Sequence, residues 1–427
     1  ATGQKIILNG DDTIAGILTV SDDGFGEINV TAAMAISGKI GTSTSVRVGT
    51  LNIDHDLTST GEINADAITI KAAKTFNANG VTKSVRGTVN GEVNANGGQG
   101  IIVVNSAGNA TKILTFEGEV GTTAEVDLVT LTTEATFQKD VKSDGITIAA
   151  ATTGIFTGNL TIGAEDLTLG DAAAIAEFNG TSTQTITTGA AAELIDGTGI
   201  VLVSNTSEGG VIFGANAKMS TATINFQVAA NAKATTTLAG HVVLDVTTNA
   251  GSILKLDDTI AAADIIFTAT ETLDAASIHA SSLIKMPANF DSDEVIVLFA
   301  EVANADVAAI ALDVNAALVD TGLVNYVATV TSTDDITVTA TETTNAQAAN
   351  TLSVTTNEAI ALRQARAAML TTAAGLDSMG NILSLENGIT ASSRKTFVEQ
   401  AAPQNDMISG SAVATSAMTG TVQGIVS

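Results

Sequence analysis

The sequence predicts an all-β fold: a right-handed parallel β-helix (β-solenoid) with a β-rich C-terminal cap and a short helical C-terminal tail. Three observations predict it. Apolar–polar–apolar triplets recur through most of the chain, punctuated by Gly, Asn, Asp and Thr, which is the signal of short strands and tight turns. Only 2 prolines occur in 427 residues, which suits stacked coils whose backbone N–H groups donate to the next rung. The composition is 45% hydrophobic but 3% aromatic, with no Trp and one Tyr. A core of small and β-branched aliphatics fits a narrow repetitive interior better than a large globular one.

The body is expected over residues 1–290. Val46/Val48, Leu51/Ile53, Ile68/Ile70, Leu160/Ile162, Leu167/Leu169 and Ile224/Phe226/Val228 show the two-residue period of a strand with one face buried. Two phrases recur: GKIGTSTSVRVGTL at 38–51 as GEVGTTAEVDLVTL at 118–131, and GQGIIVVNSAG at 98–108 as GTGIVLVSNTS at 197–207. Their uneven spacing describes a degenerate solenoid whose turns vary while inward positions stay apolar. Coils of roughly 20–25 residues would make about a dozen rungs.

Residues 291–343 read as the β-rich cap. EVIVLFAEV, LVNYVATVT and DITVTATE are longer strands, and STDD at 332–335 marks a turn that pairs the last two as a hairpin. A solenoid end exposes strand edges that need such a cover. Residues 344–427 shift to helical period. Asn357 is a candidate cap for a helix with Leu362, Ala365, Met369 and Ala373 on one face and Gly375 at its end. A second helix is expected over SSRKTFVEQA, capped by Ser392 or Ser393 and ended before Pro403. A third carries Met418, Val422 and Ile425.

The charge narrows the function. With 18 basic and 45 acidic residues the net charge is −27, which disfavours nucleic acid and anionic lipid as partners. Cysteine is absent, so there is no disulfide framework, thiolate metal site or cysteine nucleophile. No run of about 18 apolar residues offers a membrane-spanning helix. The opening ATGQK, without an initiator Met, reads as a mature N-terminus after signal cleavage.

Catalysis finds little support. His55 lies between Asp54 and Asp56, but on a strand those carboxylates point to the opposite face. His241 and His279 have no acidic or nucleophilic neighbour in sequence. A sugar-stacking cleft is disfavoured when Tyr326 is the only Tyr and Trp is absent. No G-x-S-x-G elbow occurs, and GGQG at 97–100 lacks the Lys of a phosphate loop. Acidic pairs in turns suit calcium, whose ligands are loop oxygens. Asp22 and Asp23 in SDDGFGE, and Asp291, Asp293 and Glu294 in DSDE, are the candidate ligands.

The last stretch, VEQAAPQNDMISGSAVATSAMTGTVQGIVS, resembles the linker preceding the outer-membrane β-barrel of classical (type Va) autotransporters. Glu399, Gln400, Ala402 and Pro403, the small-residue run and the weak terminal helix carry the likeness. The segment DEVIVLFAEV to DITVTATE resembles the autochaperone or junction region of such passengers. The Thr/Gly/Asn-rich body, with ILTFEGEVGT and GNLTIGAEDLTLG, is similar to OmpB-like surface-layer autotransporters of the Rickettsiales. The barrel itself is missing from the chain. The resemblance implies a secreted passenger at the cell surface of a Gram-negative bacterium, exported through its own C-terminal barrel. It would self-associate into a coat, layer or filament, with a host-binding adhesin as the alternative.

Overall fold

In the computed structural model, the described residues are 4–42, 46–79, 83–92, 99–105, 113–188, 195–214, 219, 224–236, 244–256, 265–268, 277–292, 294–300, 302, 306–331 and 335–370. Isolated helical positions at 379, 383, 392, 394 and 396–398 complete them. The chain divides into two compact units, Ala1–Ser252 and Ile253–Ser427.

The first unit is a β-solenoid of parallel strands with three faces. One face stacks Lys5–Leu8, Phe25–Val30 and Val48–Ile53, then the second halves of Ile63–Ile70 and Lys83–Gly91. It continues through single bridges at Val120 to Val141–Ile148, Leu160–Ile162, Gln184–Thr188, Val211–Phe213 and Lys233–Thr236. A second face runs from Thr13–Ile14 through Met34–Ile36, Leu57–Ser59, Thr75–Ala78, Ile101–Val104 and Val126–Leu131. It continues to Leu167–Leu169 and Ile195–Gly197, and a single bridge joins Ile195 to Met219. The third face stacks Leu114–Phe116, Ala135–Phe137, Thr153–Phe156, Ile175–Phe178, Ile200–Val203, Ile224–Val228 and Leu244–Thr248 above the start of Lys83–Gly91.

The inward rows are made by the triplet pattern. Ile28, Leu51, Ile68 and Val89 lie in register and are all fully buried, as are Val30, Ile53 and Ile70 beside them. Side-chain hydrogen bonds between adjacent coils join residues as few as 19 and as many as 34 apart. This is why the repeats in the sequence drift. The recurrent phrases do not stack on themselves. Leu51 lies on the first face and its counterpart Leu131 on the second, because each face makes the same demand for alternation. What the first phrase preserves is a corner: Gly41 and its counterpart Gly121 both adopt positive φ, +70° and +71°, a conformation open to glycine at little cost.

The scarcity of rings has a different outcome from a ring-free interior. Phe116, Phe137, Phe156 and Phe178 occupy one inward row of the third face and stack at centroid distances of 4.9, 5.2 and 5.6 Å. Phe213 then meets Phe178 edge-on at 5.9 Å and Phe226 at 5.5 Å. Rungs about 4.8 Å apart hold in-register rings near stacking distance.

In the second unit Ile253–Leu256 and Leu283–Lys285 pair in parallel, as do Ile265–Thr268 and Val295–Ala300. Val295–Ala300 pairs antiparallel with Ile336–Glu342, which pairs with Val324–Val330 in the expected hairpin. Of its turn, only Asp335 lies within the described residues. Helix α1 (Val307–Ala317) falls inside the stretch read as the β-rich cap, between its first and second expected strands. Val307, Ile310, Ala311 and Val314 are buried at helical spacing, a period obscured by the surrounding Val and Ala. Helix α1 also seals a sheet edge. The Asn315 amide accepts the Ala328 N–H at 2.8 Å and donates to the Ala328 carbonyl at 2.7 Å, while Asp320 accepts the Tyr326 N–H at 2.8 Å. Side chains thus replace the missing neighbour of Val324–Val330.

Helix α2 (Asn345–Leu352) starts on a capping box between Thr344 and Gln347. Helix α3 (Thr356–Leu370) buries Leu362, Ala365 and Met369 as expected. Its cap is Thr355 rather than Asn357: the Thr355 hydroxyl accepts the Glu358 N–H, and Glu358 accepts the Thr355 N–H at 2.6 Å. Ser392, Arg394 and Thr396 to Val398 are helical, so Ser392 lies within the turn and not before it. Ala373, Gly375, Ser393 and the third expected helix lie outside the described residues.

Candidate functional site

A cluster of carboxylates sits where the first face turns into the second. Glu125 and Asp127 flank Val126; one coil on, Ser143 and Gly145 pair with Val126 and Leu128, placing Asp144 beside Asp127. A further coil on, the Glu165 N–H donates to the Asp144 carbonyl at 2.8 Å. Two glycines let the carboxylates crowd. A methyl at Gly163 would lie 2.9 Å from Glu125 Oε1 and closer still to Asp144 Oδ1; one at Gly145 would meet Glu165 Oε2 at 2.8 Å. Lys142 is the counter-charge, with Nζ 3.6 Å from Glu125 Oε2. Burial, then the Asp144 charge, raise the Glu125 carboxyl above its ordinary range against the pull of Lys142. Asp127 is raised for the same two reasons, burial first. Glu125 and Asp127 therefore bind protons more readily than free carboxylates. Among the described residues no group of three or more His, Cys, Asp or Glu is arranged to hold a metal ion.

The candidate calcium ligands among the described residues fall two in each unit. Asp23 is engaged by Arg47, whose backbone N–H donates at 2.8 Å and whose Nε donates at 3.3 Å. These bonds lower its pKa, the backbone bond most. Arg47 also reaches Asp66 at 2.7 Å, so one guanidinium ties two flanking coils. Asp22 accepts the Ser21 hydroxyl at 3.3 Å. In the second unit Asp291 accepts Arg366 Nη1 at 2.7 Å, and Glu294 turns back to accept the Asp291 N–H at 2.7 Å. Asp293 and His241 lie outside the described residues. His55 occupies an exposed bend, not a strand, so its neighbours are not held to the opposite face; Asp56 caps Thr75 instead, at 2.9 Å. His279 is exposed, with Nδ1 2.9 Å from the Ser281 hydroxyl.

Arg366 is a buried cation that sequence reasoning overlooks. Besides Asp291 it donates to the Phe290 carbonyl at 3.0 Å, clamping α3 to the 288–291 turn. Arg363, one turn earlier, holds Glu342 and Thr343, each at 2.9 Å. Asp291, Leu323, Glu342, both arginines, Ala367 and Leu370 line a pocket of about 30 Å³. That is below the ~300–1,000 Å³ of ordinary small-molecule sites, and its two arginines are matched by two carboxylates. The helical spacing of Arg363 and Arg366 is visible in the sequence, but their partners 21 and 75 residues away are not.

No family model matches the chain, no curated protein matches it, and no solved structure matches it.

Proposed function

We propose that this chain is a structural, non-catalytic passenger of a bacterial surface, exported by an autotransporter route, that associates with copies of itself into a coat or layer. The observation that carries the reading is the continuity of the coil. Its faces are tiled outward by Thr, Asn and aliphatic side chains half shielded by the rungs on either side, a surface suited to broad, flat packing. The export route rests on the sequence likeness of the tail beginning at Glu399.

Two measurements test it. Electron microscopy and sedimentation of the purified protein should give ordered sheets or filaments. A monodisperse monomer at high concentration overturns self-association, and saturable binding of that monomer to host cells would favour the adhesin reading. For export, the coding sequence beyond Ser427 should continue into alternating membrane strands; a stop codon there overturns the route.

A further inference from the structure

We propose that Asn9 is a spontaneous modification site: the Gly10 nitrogen attacks its amide, ammonia leaves, and the first coil gains a carboxylate without an enzyme.

Asn–Gly pairs occur at 9–10, 79–80, 90–91, 96–97, 179–180 and 387–388. The chemistry open to each is the same. The Gly backbone nitrogen forms a bond to the Asn Cγ and passes its proton to the departing Nδ2. The Cγ–Nδ2 bond breaks, ammonia leaves, and a succinimide ring remains. Water opens that ring at either carbonyl, giving aspartate or isoaspartate. The balance is one water in and one ammonia out, with no oxidant or cofactor. Glycine favours the reaction because no Cβ crowds its nitrogen and its backbone turns freely. What separates the sites is whether nitrogen and amide are free to meet.

Three of the pairs lie wholly within the described residues, and the fold treats them differently. Asn90 and Gly91 belong to the strand Lys83–Gly91. The Gly91 N–H donates to the Ala124 carbonyl at 3.0 Å, and Asn90 Oδ1 accepts the Thr123 and Ala124 N–H groups at 3.2 and 3.4 Å. In the next pair the Gly180 N–H donates to Gln184 Oε1 at 2.7 Å, and Asn179 Nδ2 donates to Glu177 Oε1 at 3.4 Å. Both nitrogens are engaged, so attack requires local opening of a coil.

Asn9 and Gly10 carry no such restraint. The chain is pinned at Leu8, whose carbonyl accepts the Thr31 N–H at 2.8 Å and the Thr31 hydroxyl at 3.1 Å. It pairs again at Thr13, opposite Ala35. Residues 9–12 between these points are all exposed. Among the described residues nothing hydrogen-bonds the Asn9 amide or the Gly10 N–H. A methyl added at Gly10 would meet nothing within 4 Å, so the bend has room to turn the nitrogen onto Cγ. The product sets a new negative charge close in sequence to Asp11 and Asp12.

The test is peptide mass mapping of the full chain during incubation at mildly alkaline pH, with isoaspartate resolved from aspartate by chromatography. Asn9 should convert roughly tenfold faster, or more, than Asn90 and Asn179, which must wait for opening. Isoaspartate should be among its products. In guanidinium, with the coil unfolded, the three should convert at similar rates. Gly10→Ala is tolerated by a backbone that is not left-handed there, and it should slow conversion at Asn9 in the folded chain. Conversion at Asn9 no faster than at Asn90 overturns the proposal. Conversion to aspartate alone, or an unchanged rate in Gly10→Ala, does the same, since either means direct hydrolysis by water. If the ranking survives in guanidinium, local sequence and not the fold sets it, and the proposal falls.

Discussion

Gln184 should be the least replaceable polar side chain of the solenoid. It is 1% exposed and makes four hydrogen bonds. Its Nε2 donates to the Phe156 and Gly158 carbonyls, each at 2.9 Å. Its Oε1 accepts the Gly180 N–H at 2.7 Å and the Asn205 amide at 2.9 Å. In Gln184→Leu, the Phe156 carbonyl keeps the Asn179 N–H, and the Asn205 amide keeps the Ser182 carbonyl at 2.8 Å. The Gly180 N–H keeps nothing within the network. Four bonds at about 1 kcal/mol net and one orphaned donor at about 1–3 kcal/mol give a gross loss near 5–7 kcal/mol. Burying a leucine returns about 1.5–3 kcal/mol, so the net loss is about 2–5.5 kcal/mol. Gln184→Glu sets a carboxylate against two carbonyl oxygens. Its folded pKa must rise above the ordinary ~4.3, so its penalty is smallest in acid and grows as pH rises through the raised value. Repeat arrays need not unfold in one step, so the assay is native-state hydrogen exchange of peptides covering 156–160, 178–188 and 203–211. A drop in local opening free energy below about 1 kcal/mol for Gln184→Leu would refute the reasoning. So would equal exchange stability of Gln184→Glu, relative to wild type, at about pH 7 and pH 5.

Other consequences are as direct. Phe137→Ala, in the middle of the ring stack, should cost about 3–5 kcal/mol; faster exchange should spread to the coils holding Phe116 and Phe156, and confinement to one coil would contradict a shared stack. Asn315→Leu removes both bonds to Ala328 and opens the edge of Val324–Val330. Urea titration should show a loss of about 1–3 kcal/mol, and light scattering should show new aggregation; an unchanged scattering signal argues against the edge seal. Asp127→Asn should raise the midpoint of thermal unfolding at neutral pH. Asp127 and Glu125 have raised folded pKa values, so their protonated forms stabilise in acid and that stability is lost as pH rises through the folded values. The gain from the variant should therefore vanish in mild acid, and a gain that persists there would refute the assignment. Arg366→Met leaves the half-buried Asp291 without its cation and frees α3 from the 288–291 turn; limited proteolysis near residue 370 should accelerate, and an unchanged cleavage rate would show that packing alone holds the helix.

The sequence by itself determined the coil. Two-residue alternation at Leu51/Ile53 or Leu167/Leu169 dictates which side chains face inward, since a strand has no other period. Turn residues bound each strand, and the apolar spacing of Leu362, Ala365 and Met369 specified α3. Only the tertiary structure decided how the coils stack. Coil length is set by turns, and it ranges widely enough that no fixed offset predicts which outward residues become neighbours. Glu125, Asp144 and Glu165 therefore converge without a motif, and the phenylalanines of LTF, ATF, GIF and AEF stack although nothing local joins them. Arg366 finds Asp291 for the same reason. Helix α1 hides behind an alternation that Val, Ala and Ile satisfy in either period; packing on Val324–Val330 and the bond from Asn315 to Ala328 resolve it as helix. Local pattern sets each rung, while register, a property of contacts between rungs, builds every site on the surface.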